Sequence, residues 1–172
     1  MIVTLAELCE IRKNHSNHNI IFAGGVFDLM HPGHLDLFKR MKKSADIVVA
    51  VSSDTRVKQR KGIFRPIHDQ YTCLEIVDSV KNVNYCLIAP DPDGGTDVPT
   101  VKILRMLHPN IFMTCDKSWL QYNDIFEELD IELMIVPRFS DEISTTKTIE
   151  KIRSINDASM GLSELKESEC IH

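Results

Sequence analysis

IIFAGGVFDLMHPGH, residues 20–34, joins an apolar run of strand length to a short loop that contains glycines and histidines. The run predicts a buried strand over residues 19–24, and the amphipathic sequence after the loop predicts a helix over residues 34–44. A helix that begins directly behind such a loop offers unpaired backbone N–H groups and the positive end of its dipole. This arrangement favours an anion, such as a phosphate group, at the end of the strand.

Apolar runs and amphipathic stretches alternate along the rest of the chain. Continuous apolar strands between helices predict a parallel sheet that is covered on both faces. We therefore expect an α/β fold, a single Rossmann-like, doubly wound domain with a five-stranded parallel sheet, over residues 1–155. Residues 156–172 contain serines and acids without a core pattern, which predicts a flexible C-terminal tail. The other predicted strands are 46–52, 85–89, 111–114 and 131–136, and the other predicted helices are 4–14, 68–81, 98–107, 122–129 and one from 144.

The composition excludes several classes of protein. The chain has 172 residues and a formal charge of −5, which argues against broad electrostatic binding of nucleic acid. It has no apolar run of membrane-spanning length, and Glu7 and Glu10 argue against a signal peptide, so we expect a cytoplasmic protein without a membrane span. The scattered cysteines form no CxxC pair, which disfavours zinc, disulfide and redox proteins. They are Cys9, Cys73, Cys86, Cys115 and Cys170.

A cluster of basic residues stands out in this acidic chain. Arg56, Lys58, Arg60, Lys61 and Arg65 fall within ten residues, in a segment that we predict to be a loop. Such a cluster can hold an anion, and it can also be a solvated loop. The segment alone leaves both interpretations open.

The loop after the first strand contains the residues best suited to phosphate chemistry. Gly24 and Gly25 allow an anion to approach the backbone, and Gly33 leaves room above the helix N-terminus. His31 and His34 are three residues apart and can point into the same space. Imidazole N–H groups there can donate to phosphate oxygens, most strongly where charge develops in a transition state.

Other interpretations of the same motifs have less support. The two histidines could bind a metal ion, but no third ligand lies at a telling spacing, so we predict no protein-built metal site. The glycines match neither G-x-G-x-x-G nor the P-loop pattern. The sequence DPDGGTD at residues 91–97 superficially resembles a calcium loop, but it lacks the terminal glutamate and predicts a surface turn.

Three segments resemble one family. GVFDLMHPGH (residues 25–34) resembles the (H/T)xGH signature of the cytidylyltransferase-like nucleotidyltransferases. These include glycerol-3-phosphate, phosphocholine and phosphoethanolamine cytidylyltransferases, heptose-phosphate adenylyltransferases and archaeal FAD synthetases. VAVSSDTRVKQRKGIFRPI (residues 49–67) resembles the lysine-loop region, especially that of the heptose-phosphate adenylyltransferases, and ISTTKTIEKI (residues 143–152) resembles the ISTT helix start. The resemblance spans residues 20–153.

The resemblance implies a reaction in which a phosphate oxygen of an acceptor attacks the α-phosphate of a nucleoside triphosphate. Pyrophosphate leaves, and Mg²⁺ accompanies the triphosphate. The implied catalytic residues are His31, His34 and Lys58. The implied nucleotide-binding residues are Gly24, Gly25, Val26, Phe27, Gly33, Asp116, Ser144, Thr145 and Thr146, and the implied acceptor-binding residues are Asp28, Lys61, Arg65 and Arg138. The family also leads us to expect a homodimer.

The chain departs from the family pattern at several positions. Cys73 stands where relatives often carry an arginine, and Glu142 stands where a glycine is usual before ISTT. After the fourth strand, residues 114–116 read Thr-Cys-Asp where relatives show G-G-D or G-D-D. ATP with a sugar 1-phosphate and CTP with a polyol phosphate both remain open. The alternative to an active enzyme is a nucleotide-binding sensor or scaffold on the same fold.

Overall fold

A five-stranded parallel β-sheet organises the chain. The computed structural model describes residues 1–14, 18–41, 45–92 and 98–156. The strands are β1 (Ile20–Gly25), β2 (Asp46–Val51), β3 (Tyr85–Ile88), β4 (Ile111–Thr114) and β5 (Glu132–Ile135). They follow the order β3-β2-β1-β4-β5, with β1 at the centre, and are all parallel, which confirms the predicted Rossmann-like sheet.

Helices cover both faces of the sheet. They are α1 (Leu5–Asn14), α2 (Pro32–Met41), α3 (Asp54–Lys61), α4 (Gln70–Asp78), α5 (Pro99–Leu107), a 3₁₀ helix (Lys117–Tyr122), α6 (Asn123–Glu128) and α7 (residues 145–156). In the described ranges, none of these helices is long and apolar enough to cross a membrane. The side chains of β1 alternate between the two faces of the sheet. Ile21 and Ala23 belong to a hydrophobic cluster that includes residues of α2 and α4, and Ile20 and Phe22 belong to a cluster that includes residues of α1, α5 and α6.

Most of the basic segment, Arg56 to Lys61, lies in the helix α3, so the prediction of a loop was wrong there, and only Arg65 lies beyond the helix end. Ser53 caps this helix, because its hydroxyl accepts a hydrogen bond from the backbone N–H of Arg56 at 3.3 Å. Asp54 lies in the first turn, and Lys58, Arg60 and Lys61 lie in the last turn, where each charge complements the helix dipole. The helix ends at Gly62, whose φ of 93° is unfavourable for other residues. The capping serine and the order of the charges are visible in the sequence, but the many charged residues led to the prediction of a loop.

Several predicted boundaries also shift. The helix after β1 begins at Pro32 rather than at His34, because proline is well suited to the first helical position. The 3₁₀ helix was not predicted. Residue 156, which the sequence assigned to the tail, lies in α7. The rest of that predicted tail, the end of the predicted helix 34–44 and most of the predicted turn at 91–97 lie outside the described residues.

Candidate active site

A cavity of about 260 Å³ opens at the carboxyl ends of β1 and β4. The loop that follows β5 and the N-termini of α2 and α7 complete its wall. Ligands of open parallel sheets bind at this edge, where the strand order reverses. Many of the residues that the sequence predicted for the site line this cavity. They are Gly24, Gly25, Phe27, His31, Gly33, His34, Asp116, Arg138 and Ser144.

The two histidines form a stacked pair on the cavity wall. Their ring centroids are 3.9 Å apart, with an angle of 23° between the ring planes. The Nδ1 atom of His34 accepts a hydrogen bond from the backbone N–H of His31 at 3.3 Å, which leaves the proton of a neutral His34 ring on Nε2. The Nδ1 atom of His31 is buried and has no hydrogen-bond partner among the described residues. The pair therefore has hydrogen-bonding capacity for a ligand in the cavity.

Both imidazoles are neutral at pH 7. Burial lowers the pKa of His34 to about 4, and the neighbouring His31 and Lys61 add to this effect. Burial also lowers the pKa of His31 below its ordinary value. Neutral imidazoles can donate hydrogen bonds to a phosphate without a proton having to be taken up first.

Glycines make room for the histidine pair. A Cβ atom on Gly33 would lie 3.0 Å from Cε1 of His31, and one on Gly25 would lie 2.8 Å from Cζ of Phe27. Phe27 has a φ of 55° and is 2% exposed, and its ring contacts His34 edge-on with centroids 5.3 Å apart. In this structure Phe27 packs against His34, while Gly25 leaves space for the Phe27 ring and Gly33 for the His31 ring. Their predicted contact with nucleotide remains a prediction.

Asp28 connects three segments that border the site. Its side chain is fully buried, and its Oδ2 atom accepts hydrogen bonds from Nε and Nη2 of Arg65 at 3.2 and 3.0 Å. The backbone N–H groups of Ile67 and His68 donate to the same carboxylate at 2.9 and 3.1 Å. The hydroxyl of Thr145, at the start of α7, donates to the Asp28 carbonyl oxygen at 2.7 Å. The loop after β1, the segment before α4 and α7 are thus fixed to one residue.

This junction bears on two predicted acceptor-binding residues. Four hydrogen bonds from the protein occupy the Asp28 carboxylate, so the structure gives it the contacts of an anchor. The Arg65 side chain is 12% exposed and its guanidinium is held on one side by Asp28. Arg65 can therefore still meet a ligand with its remaining N–H groups, whereas a direct role for Asp28 remains a prediction.

A second cavity, of about 500 Å³, adjoins the first and shares its histidine pair. Arg138 and Ser144 also line both cavities, and Thr145 and Thr146 line the second at the start of α7. Lys61 reaches this wall from α3, and burial and the nearby Arg65 and Arg60 lower its pKa. Of the remaining predicted residues, Lys58 and Val26 line neither cavity.

The structure adds residues that the sequence did not assign to the site. Cys115 and Phe139 line the first cavity, and Ser140 and Lys147 line the second. Burial raises the pKa of the Cys115 thiol, so this group is neutral at pH 7. Cys115 and Phe139 follow β4 and β5. Because ligands bind at the carboxyl ends of parallel strands, their positions after these strands could have predicted both residues.

The fold and this site together define a Rossmann-like domain with a histidine-lined cavity at the carboxyl ends of its strands. The sequence model of the family described as cytidylyltransferase-like matches residues 22–154. The chain therefore belongs to the cytidylyltransferase-like family, which confirms the resemblance noted in the sequence.

Comparison with individual proteins agrees with this assignment. The chain is 32% identical over 158 residues to a bifunctional protein HldE from Helicobacter pylori, covering 91% of this chain and 32% of the relative. It is 31% identical over 140 residues to an FAD synthase from Thermococcus sibiricus, covering 77% of this chain and 90% of the relative. The chain thus spans about a third of the HldE proteins that it matches. A lipopolysaccharide core biosynthesis protein from Thermoplasma volcanium shares the fold, with a TM-score of 0.58, 23% identity, and coverage of 71% of this chain and 98% of that one.

The Asp28 junction predicts a large loss of stability in Asp28→Asn. The substitution leaves the Arg65 charge without its partner and turns an amide N–H₂ toward other donors. Breaking a buried pair in this way costs about 3–5 kcal/mol, measurable as the change in free energy of unfolding in urea. The matched control is Asp36→Asn, whose pair with Arg40 is partly exposed and is expected to contribute less than about 1 kcal/mol. Equal losses in the two variants would refute the assignment of Asp28 as an anchor.

The pKa of His34 predicts a pH-dependent stability. The ring has a pKa of about 4 in the folded chain, against an ordinary value of 6.5, so the unfolded chain binds more protons between these values. His34 should therefore destabilise the fold as the pH falls from 7 to 4, by an amount on the order of 3 kcal/mol. The measurement is the free energy of unfolding of the wild type minus that of His34→Gln across this range, because titrations common to both proteins cancel. A difference that does not change with pH would contradict the prediction.

Proposed function

We propose that this chain is a nucleotidyltransferase that couples a nucleoside monophosphate from ATP or CTP to a phosphorylated alcohol or sugar, releasing pyrophosphate. The observation that carries the proposal is the neutral, stacked pair of His31 and His34. This pair lies beside Lys61 and Arg138 in the wall of the second cavity, between the N-termini of α2 and α7. Membership of the cytidylyltransferase-like family supports it.

The proposed chemistry is a direct displacement at the α-phosphorus. A phosphate oxygen of the acceptor forms the new P–O bond, and the bond from the α-phosphorus to the oxygen that bridges to the β-phosphate breaks. Pyrophosphate leaves with that electron pair, and no covalent enzyme intermediate forms. Such reactions depend mainly on positioning and on stabilisation of charge. His31 and His34 would donate hydrogen bonds to the oxygens of the reacting phosphate as its charge redistributes.

The cavities support a placement for the nucleotide. Its base and sugar would occupy the first cavity, between Cys115 and Phe139. Its phosphates would pass over the histidine pair toward Ser144 and Thr146, at the N-terminus of α7, where backbone N–H groups and the helix dipole favour anions. Lys61, whose pKa is lowered by burial and by cationic neighbours, would gain a stabilising anionic partner there.

We further propose that Mg²⁺ enters with the triphosphate. The carboxylates of Asp116 and Asp141 and the hydroxyl of Ser144 line the cavities, and oxygen donors of this kind suit Mg²⁺. The described residues contain no group of three or more His, Cys, Asp or Glu side chains that could hold a metal ion, so phosphate oxygens and water would supply most of the coordination. The ion would neutralise charge on the phosphates.

The acceptor is proposed from the resemblance and the relatives. The likeness of residues 49–67 to heptose-phosphate adenylyltransferases favours a sugar 1-phosphate with ATP as donor. Glycerol 3-phosphate with CTP is the second choice, and the FAD synthase relative adds FMN with ATP.

A homodimer is proposed as well, because Ile63 and Phe64 expose 77% and 81% of their surface and could be covered by a second copy of the chain.

The alternative function is a nucleotide-binding sensor or scaffold without catalysis. The observation that favours it is Cys73, which is 1% exposed and whose thiol donates to the backbone carbonyl of His68 at 3.6 Å. The side chain that replaces the relatives' arginine is therefore turned into the protein and is unable to meet a phosphate. Nucleotide binding without pyrophosphate release is the result that would favour this alternative.

The test is pyrophosphate release with Mg²⁺, each of ATP, CTP, GTP and UTP, and a panel of phosphorylated acceptors. The panel contains heptose 1-phosphate, other sugar 1-phosphates, glycerol 3-phosphate, phosphocholine, phosphoethanolamine and FMN. We expect release with one donor–acceptor pair, and we expect His31→Ala and His34→Ala each to lower kcat/KM by about 10²–10³-fold.

The matched control is His18→Ala. Its exposed side chain lies ahead of β1, at the opposite edge of the sheet from the cavities, so the activity should be unchanged. Tight nucleotide binding with no pyrophosphate from any pair would contradict the proposed function and favour the sensor or scaffold.

A further inference from the structure

A third cavity, of about 300 Å³, lies between α7 and the end of α3. Its wall consists of Lys61, Arg65, Thr146, Ile149, Glu150 and Arg153. The four residues from α7 occur at positions i, i+3, i+4 and i+7, so they form one face of that helix. This face is turned toward the basic end of α3, and Arg153 and Glu150 were not among the residues that the sequence predicted for the site.

The charged groups around this cavity are not neutralised by one another. The side chains of Lys61, Glu150 and Arg153 make no hydrogen bond or ion pair with any residue in the described part of the chain. Arg65 uses Nε and Nη2 to bind Asp28, which fixes the position of its guanidinium and leaves Nη1 for another partner. Three cationic side chains and the Glu150 carboxylate therefore line one small space. With the Asp28 carboxylate beside Arg65 included, one positive charge remains in excess, which suits an anionic ligand.

The third cavity is continuous with the site of the proposed reaction. Lys61, Thr146 and Glu150 line both this cavity and the second cavity, whose wall contains the histidine pair. Because the phosphate that attacks must lie next to the histidines, its place is at Lys61, on the boundary between the two cavities. The part of the acceptor that is remote from this phosphate then extends toward Arg65, Glu150 and Arg153.

We propose that the third cavity binds the remote end of the acceptor and selects acceptors that carry a second anionic group, such as a carboxylate or a second phosphate, among their hydroxyls. This inference rests on the proposed function, since it assigns the acceptor side of the same site. Arg65 and Arg153 bind the second anion, because guanidinium groups pair with carboxylates and phosphates through two N–H groups. Glu150 accepts hydrogen bonds from neighbouring hydroxyls.

The test compares acceptors that differ only in a second anionic group. Glycerol 3-phosphate is compared with 3-phosphoglycerate, and glucose 1-phosphate with glucuronic acid 1-phosphate and glucose 1,6-bisphosphate. Each is titrated calorimetrically into the full chain with Mg²⁺ and a non-hydrolysable nucleotide, so the result does not depend on turnover. We expect the compound with the second anion to bind about tenfold more tightly in at least one set.

The variants assign this preference to residues. Arg153→Ala should abolish the preference and leave the affinity for nucleotide unchanged, and Glu150→Gln should strengthen binding of the second anion by removing a like charge. Lys151→Ala is the matched control, because Lys151 is an exposed cation on the same helix that lines none of these cavities, and it should change neither affinity.

Several outcomes would overturn the inference. For the wild type, these are an absence of binding by every acceptor, or equal affinities for the compounds within each set. For Arg153→Ala, they are a preference for the second anion that is unchanged, or a lower affinity for nucleotide in place of the lost preference. The last result would place the triphosphate in the third cavity. A preference that depends on Arg153, together with no pyrophosphate release from any compound, would support this inference while contradicting the proposed function, so the two failures are distinguishable.

Discussion

The buried carboxylate of Asp28 is the constraint on which the arrangement of the site depends. It follows the central strand by three residues and binds the guanidinium of Arg65 and two backbone N–H groups ahead of α4, while its carbonyl oxygen holds Thr145 at the start of α7. Segments that are distant in the sequence are thus brought to the same strand end. Because removing one partner of a buried pair is costly, this junction resists loosening, and the cavities between these segments keep their shape.

Burial sets the charge state of the histidine pair. Phe27 and the space beside Gly33 hold the two rings in a stack, and the loss of hydration keeps them uncharged. A neutral donor at a fixed position needs no reorganisation when charge develops on a phosphate. The positive charge of the site comes instead from Lys61, Arg65, Arg138 and Arg153, which border the cavities.

The sequence was sufficient for the fold and for the grouping of the two histidines at the end of the first strand, because both depend on local patterns. Apolar strand runs predicted the sheet, and the spacing of His31 and His34 after a glycine loop predicted the pair. Helix α3 was missed because its cap at Ser53 was outweighed by the density of charge. The anchoring role of Asp28 and the position of Arg153 depend on contacts between distant segments, which no local pattern contains.

The most direct test of the central claim follows the phosphorus atoms of the donor. A nucleoside triphosphate labelled with radioactive phosphorus at either the α or the γ position is incubated with Mg²⁺, the chain and the acceptor panel, and the products are separated. Attack at the α-phosphorus predicts that the α label appears in the joined product and the γ label in pyrophosphate. Transfer of the γ label to an acceptor, or an α label that stays in a nucleoside di- or triphosphate, would contradict the account.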